Sequence, residues 1–280
     1  MGRTSAGLHD GSELPLTIRG QGPWWLLPVN PEPIEGTAAE EMRRWGADPA
    51  LGAKLIEGLE DLVTVVAFDY EGHLLASPKP DTLTADNIAA DFLAVADSVG
   101  ADTFGYYGYS WLAAAGLQLA VRTERLIGLA MGGFPPLDGP YAEMRAVTAA
   151  AHAAASNPKP APAAEVEPGD WSNAEMTLSE AQTRQFVTLY ESLRSFDDRA
   201  VLTEVTCPRL CFAGAEDVID YDERWGGVRV DMANPLREHR PALEKAGWTV
   251  HVLEGHDHLG AMQASVVLSL LRPWITASVR

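Results

Sequence analysis

The sequence predicts an α/β fold, with a mostly parallel central sheet, helices on both faces and a helical insertion. Three observations predict it. Short, nearly continuous apolar runs read as strands buried on both faces; helical patterns lie between them; and the alternation breaks once, between about Phe134 and Glu204. Strands alternating with helices imply right-handed crossovers and a mostly parallel sheet covered on both faces.

Taken in order, Glu13 to Arg19 alternates apolar and polar residues and is expected as an antiparallel edge. Trp24 to Val29 and Leu62 to Phe68 supply two buried strands. Ile88, Phe92, Val95 and Val99 recur at intervals of four, three and four, one side of a helix leading into the strand Thr103 to Tyr107. Leu126 to Met131, Arg209 to Ala213 and Thr249 to Leu253 complete the strands, and Leu259, Met262, Val266, Leu270 and Trp274 predict a closing helix. The chain thus divides into a core, 1–133 and 204–280, and a helical insertion, 134–203. Ala149 to Ala155 is nearly pure alanine, Pro158, Pro160, Pro162 and Pro168 follow, and Phe186, Leu189, Tyr190 and Leu193 restore a helical pattern after Ser179. Residues 156–170 are expected to form a flexible arm.

The composition narrows the function. With 46% apolar residues among 280, the chain can bury a substantial core, and 39 acidic against 21 basic residues leave a net charge of −18. Nucleic acid and anionic membranes select clustered Lys and Arg, so neither is expected as a partner. The N-terminus lacks the apolar stretch of a secretory signal and no apolar run approaches a membrane span, so a soluble, cytoplasmic protein acting on a small molecule is expected. Cys207 and Cys211, four residues apart in a predicted strand, would lie about 13 Å apart, too far to bridge. They are expected as packed, reduced thiols.

The strongest chemical signal is Phe104-Gly105-Tyr106-Tyr107-Gly108-Tyr109-Ser110-Trp111-Leu112, followed by Ala113-Ala114-Ala115-Gly116. A strand turning sharply into a helix presents the turn residue, Ser110, at the C-terminal edge of the sheet, where crevices form. A serine at a helix start can also be a simple N-cap.

Gly108-Tyr109-Ser110-Trp111-Leu112 resembles the Gly-x-Ser-x-Gly nucleophile elbow of the α/β-hydrolase superfamily, with leucine for the last glycine. Gly20-Gln21-Gly22-Pro23 and Asp69-Tyr70-Glu71-Gly72-His73 echo further motifs in the superfamily's order, the latter with Glu71 where arginine is usual. Cys207 to Asp217 resembles the strand and turn that present the family's acid, and Gly255-His256-Asp257-His258-Leu259-Gly260 the loop that carries its histidine. The resemblance covers 13–133 and 204–280. It implies an α/β-hydrolase fold with Ser110 as nucleophile, His258 as base and Asp217 as the carboxylate that orients it. A serine hydroxyl attacks a carbonyl only when a neutral imidazole takes its proton, and a buried carboxylate fixes the tautomer of that imidazole.

His256 stands as an alternative base, and Glu216, Asp220 and Asp222 as alternative acids. A metal on the His-x-His pair would need further ligands that the sequence does not offer nearby. No Walker or dinucleotide-type glycine loop is present, so no cofactor is expected. The resemblance also asks for an oxyanion hole. The backbone N–H of Trp111 is one donor; Pro28 and Pro31 have none, leaving Val29 or Asn30 for the second. In the superfamily an insertion after the sixth strand forms a cap over the nucleophile, and 134–203 occupies that place; Trp25, Tyr109 and Phe134 are expected to bind substrate. The expected reaction is hydrolysis of a small hydrophobic ester, thioester or lactone. A lyase, cyclase or carbon–carbon cleavage on the same triad, and a silent ligand-binding module, are the alternatives.

Overall fold

The computed structural model describes residues 4–157 and 177–278. In chain order the elements are β1 (Thr4–Gly7), β2 (Glu13–Arg19), β3 (Trp24–Leu27), α1 (Gly36–Arg44), α2 (Leu51–Glu57), β4 (Thr64–Ala67), α3 (Tyr70–Ala76) and α4 (Ala85–Ser98). There follow β5 (Phe104–Tyr109), α5 (Trp111–Ala120), β6 (Leu126–Gly132), α6 (Tyr141–Ser156), α7 (Glu180–Ser192), α8 (Asp198–Val201) and β7 (Arg209–Gly214). The chain closes with β8 (Val218–Asp220), β9 (Arg229–Asp231), α9 (Ala233–Glu238), α10 (Arg240–Lys245), β10 (Trp248–Leu253), α11 (His258–Met262) and α12 (Ala264–Ser278).

Eight strands form one sheet in the order β1-β2-β4-β3-β5-β6-β7-β10, parallel from β4 to β10. The chain moves outward from β3 to β4, then crosses back so that β5 lies on the other side of β3. The order therefore reverses between β3 and β5, and the crevice beyond the C-terminal ends of these two strands is where this class of fold binds ligands.

Side chains alternate between the two faces. Leu26, Val66, Phe104, Tyr106 and Leu129 pack on one side with residues of α4 and α5, while Trp25, Leu27, Val65, Tyr107 and Phe212 pack on the other with α2 and α12. Thr84 caps α4 by accepting the Asn87 N–H, and Ser179 opens α7 with a reciprocal capping box to Gln182.

Several expectations need correction. Glu13–Arg19 is antiparallel, but β1 lies outside it and is the true edge; only Ala6 of Thr4–Gly7 is buried, too little pattern to signal a strand. Cys207 precedes β7 rather than lying within it. The closing helix is broken at Gln263, whose extended backbone (ψ 137°) separates α11 from α12. The buried stripe of α12 is Ala264, Val267, Leu271, Trp274 and Ile275, so Val266 and Leu270 lie beside it.

The alanine run forms the second half of α6, as its high helix propensity favours. Beyond Asn157 the expected arm lies outside the described residues. Helix α7 is tied to the end of α3 and the segment after it: Gln182 and Gln185 donate to the Leu75 and Leu74 carbonyls at 2.7 and 3.2 Å, and Gln185 accepts the Lys79 N–H at 3.1 Å.

Candidate active site

Ser110 joins β5 to α5 with φ 57° and ψ −131°, a left-handed conformation that strains a residue bearing a Cβ. Its neighbours hold it there. The Ser110 N–H donates to Gly132 O at 2.8 Å, and its carbonyl accepts from Ala113 N–H at 2.8 Å. The hydroxyl makes no capping bond to α5. Gly108 allows the sharp return: a Cβ there would stand 2.3 Å from the Leu112 carbonyl oxygen, the same oxygen that accepts the Tyr106 hydroxyl at 2.7 Å. Leucine at 112 is accommodated because its side chain is buried in the core.

Asp217 follows β7 and is 1% exposed, with its backbone tied to Gly214 O at 3.2 Å and to Met232 N–H at 3.0 Å. Its Oδ2 lies 2.7 Å from His258 Nδ1. His258 opens α11, N-capped by Asp257, whose Oδ1 accepts the Gly260 N–H at 2.7 Å. Tyr109, the residue before Ser110, donates its hydroxyl to the His258 carbonyl at 2.7 Å and holds its ring 5.1 Å from the imidazole. The His258 Cε1 stands 3.0 Å from where a Cβ on Gly133 would be, one residue beyond the Gly132 that receives Ser110 N–H. The imidazole thus lies at the C-terminal ends of β5 and β6. His256 instead gives its carbonyl to the Glu216 N–H, and Asp220 faces solvent in an ion pair with Arg229 at 2.8 Å.

A cavity of about 520 Å³ opens at the same rim, lined by Ser110, Trp111, Leu112 and Tyr109, by Pro28, Val29 and Asn30 after β3, and by α1, α2 and α3. Of the oxyanion candidates, Trp111 N–H begins α5 at the cavity wall. Val29 N–H does not serve: it already donates to Leu27 O at 2.9 Å, because the chain turns tightly after β3. Asn30 remains, with Oδ1 accepting the Glu32 N–H at 3.0 Å, and Gly52 of α2 packs against its carbonyl.

The three expected substrate contacts fare differently. Tyr109 lines the cavity. Trp25 does not: it is fully buried on the α12 face, over Gly105 and edge-on to Trp274 at 6.0 Å, because odd-numbered residues of β3 point that way. Phe134 is 1% exposed and packs on Tyr141 at 5.2 Å, at the base of the insertion. No residue of 134–203 lines the cavity among those described; Phe186 of α7 only backs it, edge-on to the Trp111 ring at 5.5 Å. The walls that sequence reasoning missed are Ile34, Met42, Pro49, Leu51 and Leu55, whose stretch between β3 and β4 shows no strand and only short, mixed helices.

Burial raises the pKa of the Tyr109 hydroxyl, and the Asp217 charge adds to it, so this tyrosine stays protonated as a donor.

No protein-family model and no curated protein matches the chain. Solved structures do. An esterase from Thermogutta terrifontis aligns over 100% of both chains with a TM-score of 0.62 at 18% identity. An enol-lactonase from Burkholderia xenovorans LB400 aligns over 97% of this chain and 99% of its own, with a TM-score of 0.60 at 20% identity. Epoxide hydrolases of the α/β-hydrolase superfamily from hot-environment metagenomes give a TM-score of 0.57 at 13% identity, over 98% of each chain.

Proposed function

This chain has the α/β-hydrolase fold, and from that fold we propose a serine hydrolase acting on a small hydrophobic ester, thioester or lactone. The observation that carries the reading is the 2.7 Å pair of His258 and the buried Asp217, held against Tyr109, the residue that precedes the strained Ser110.

Ser110 Oγ attacks the substrate carbonyl while His258 Nε2 takes its proton. Asp217 keeps the proton on Nδ1, so that the lone pair is on Nε2, and stabilises the imidazolium that forms. The developing oxyanion is met by the Trp111 N–H and by Asn30. His258 returns the proton to the departing alcohol or thiol, and a water activated by the same imidazole frees the acid and restores Ser110. Helices α6 and α7 act as a cap at a distance, through Phe186 on Trp111, while the 28–55 segment sets the pocket.

Labelling with a fluorophosphonate and peptide mapping tests this without a known substrate. The adduct is expected on Ser110 and lost in Ser110→Ala; a folded protein that takes no label overturns the assignment. The occupied Val29 N–H favours, as a second reading, the same residues used for a lyase or cyclase step with a weaker demand for oxyanion donors. Incorporation of solvent oxygen into an acid product separates the two.

A further inference from the structure

The cavity beside Ser110 contains a carboxylate that this chemistry does not use. Its walls are otherwise largely apolar, and three acids, Asp48, Asp69 and Glu71, line it with no Lys, Arg or His among the lining residues. Two of the acids are occupied. Asp48 pairs with Lys54 at 2.6 Å and accepts the Ala50 N–H, and Asp69 accepts the Gly72 N–H at 2.9 Å as the cap of α3.

Glu71, in the first turn of α3, has no ion pair among the described residues. The Trp111 indole N–H approaches it, but that buried N–H has no partner of hydrogen-bonding alignment. The Glu71 side chain is exposed along this wall, and the crowding around its carboxyl, with a smaller addition from the charge of Asp69, pushes that carboxyl above its ordinary range against the pull of the indole N–H. An acid so placed is stabilised by a cation that arrives with the ligand.

We propose that the cavity takes substrates with an ammonium or similar cationic group on an apolar body, and that Glu71 is the residue that selects them. The inference rests on reading the Ser110 cavity as the substrate site. Moving a cation against an apolar wall costs solvation, which a facing carboxylate offsets. An anionic ligand meets the reverse, because the wall carries only acids and the chain has a net charge of −18. The carboxylate product of hydrolysis experiences the same field, which favours its release.

Equilibrium titration with hexylammonium, hexanol and hexanoate tests the proposal, since none of the three can be hydrolysed. Hexylammonium is expected to bind about tenfold more tightly than hexanol, with hexanoate weakest. Glu71→Gln should remove the ammonium advantage and leave hexanol unchanged, while Glu71→Asp should retain part of it. Hexanoate binding as well as hexylammonium, or an undiminished ammonium preference in Glu71→Gln, overturns the proposal. Labelling of Ser110 separates this from the parent reading: ammonium selectivity without labelling removes the hydrolytic chemistry alone, and labelling without selectivity removes the Glu71 assignment alone.

Discussion

Replacing Asp217 with asparagine tests the core of the mechanism with little change of shape. The carboxylate is 1% exposed and meets His258 Nδ1 at 2.7 Å, while the backbone bonds to Gly214 and Met232 do not depend on its charge. An amide that turns its NH₂ toward Nδ1 forces the imidazole proton onto Nε2, where it points at Ser110 and removes the lone pair that should accept the serine proton. The variant also loses the charge that stabilises the imidazolium. Together these effects are worth about 10⁴ in rate, or about 5.5 kcal/mol of barrier. The assay is the second-order rate of fluorophosphonate attachment to Ser110, which needs no substrate, with urea unfolding as the check that stability changes by less than about 1 kcal/mol. Asp220→Asn is the control, since that acid pairs with Arg229 in solvent, and its labelling rate should stay within about twofold. A labelling rate for Asp217→Asn within tenfold of the unaltered protein, or a collapse in Asp220→Asn instead, refutes the reasoning.

Trp25→Ala should cost about 3–5 kcal/mol in urea unfolding, as expected for a fully buried ring, yet leave the labelling rate of the folded protein unchanged because Trp25 lies away from the cavity. Gly52→Ala would place a Cβ 1.9 Å from the Asn30 carbonyl oxygen. The displaced Asn30 loop should lower stability by about 1–3 kcal/mol and slow labelling about 10²-fold, measured on the same variant. Asp10→Asn should cost about 3–5 kcal/mol near neutral pH, because the Lys79 side chain, only 1% exposed, loses its partner. The Asp10 carboxyl is partly desolvated, but the Lys79 and Ser12 hydrogen bonds outweigh this and hold it well below the usual carboxylate range. The pair's contribution is therefore complete above an unfolded pKa near 4 and is lost as pH falls through the lower folded value. The gap between Asp10→Asn and the unaltered protein in acid-titrated unfolding should close in that window.

The parallel sheet was legible because its central strands are buried on both faces and so write continuous apolar runs, as at Thr64–Ala67 and Phe104–Tyr109. Ser110, Asp217 and His258 stood out because each follows the end of such a run, where a turn must occur. What sequence could not supply was direction and proximity. Trp25 and Trp24 are equally aromatic, and only the pleat decides which one faces α12. The donation of Val29 N–H to Leu27 O depends on a turn of two residues that leaves no compositional mark. The insertion was legible as an interruption, but whether it or the 28–55 segment walls the cavity depends on how distant pieces pack.

The left-handed backbone at Ser110 has an evolutionary corollary. Glycine alone occupies that conformation without penalty, and a serine there gives up on the order of 1 kcal/mol or more. Selection for heat tolerance alone would then push position 110 toward glycine, and the hardiest descendants of this chain would be those that had lost the hydroxyl at that turn.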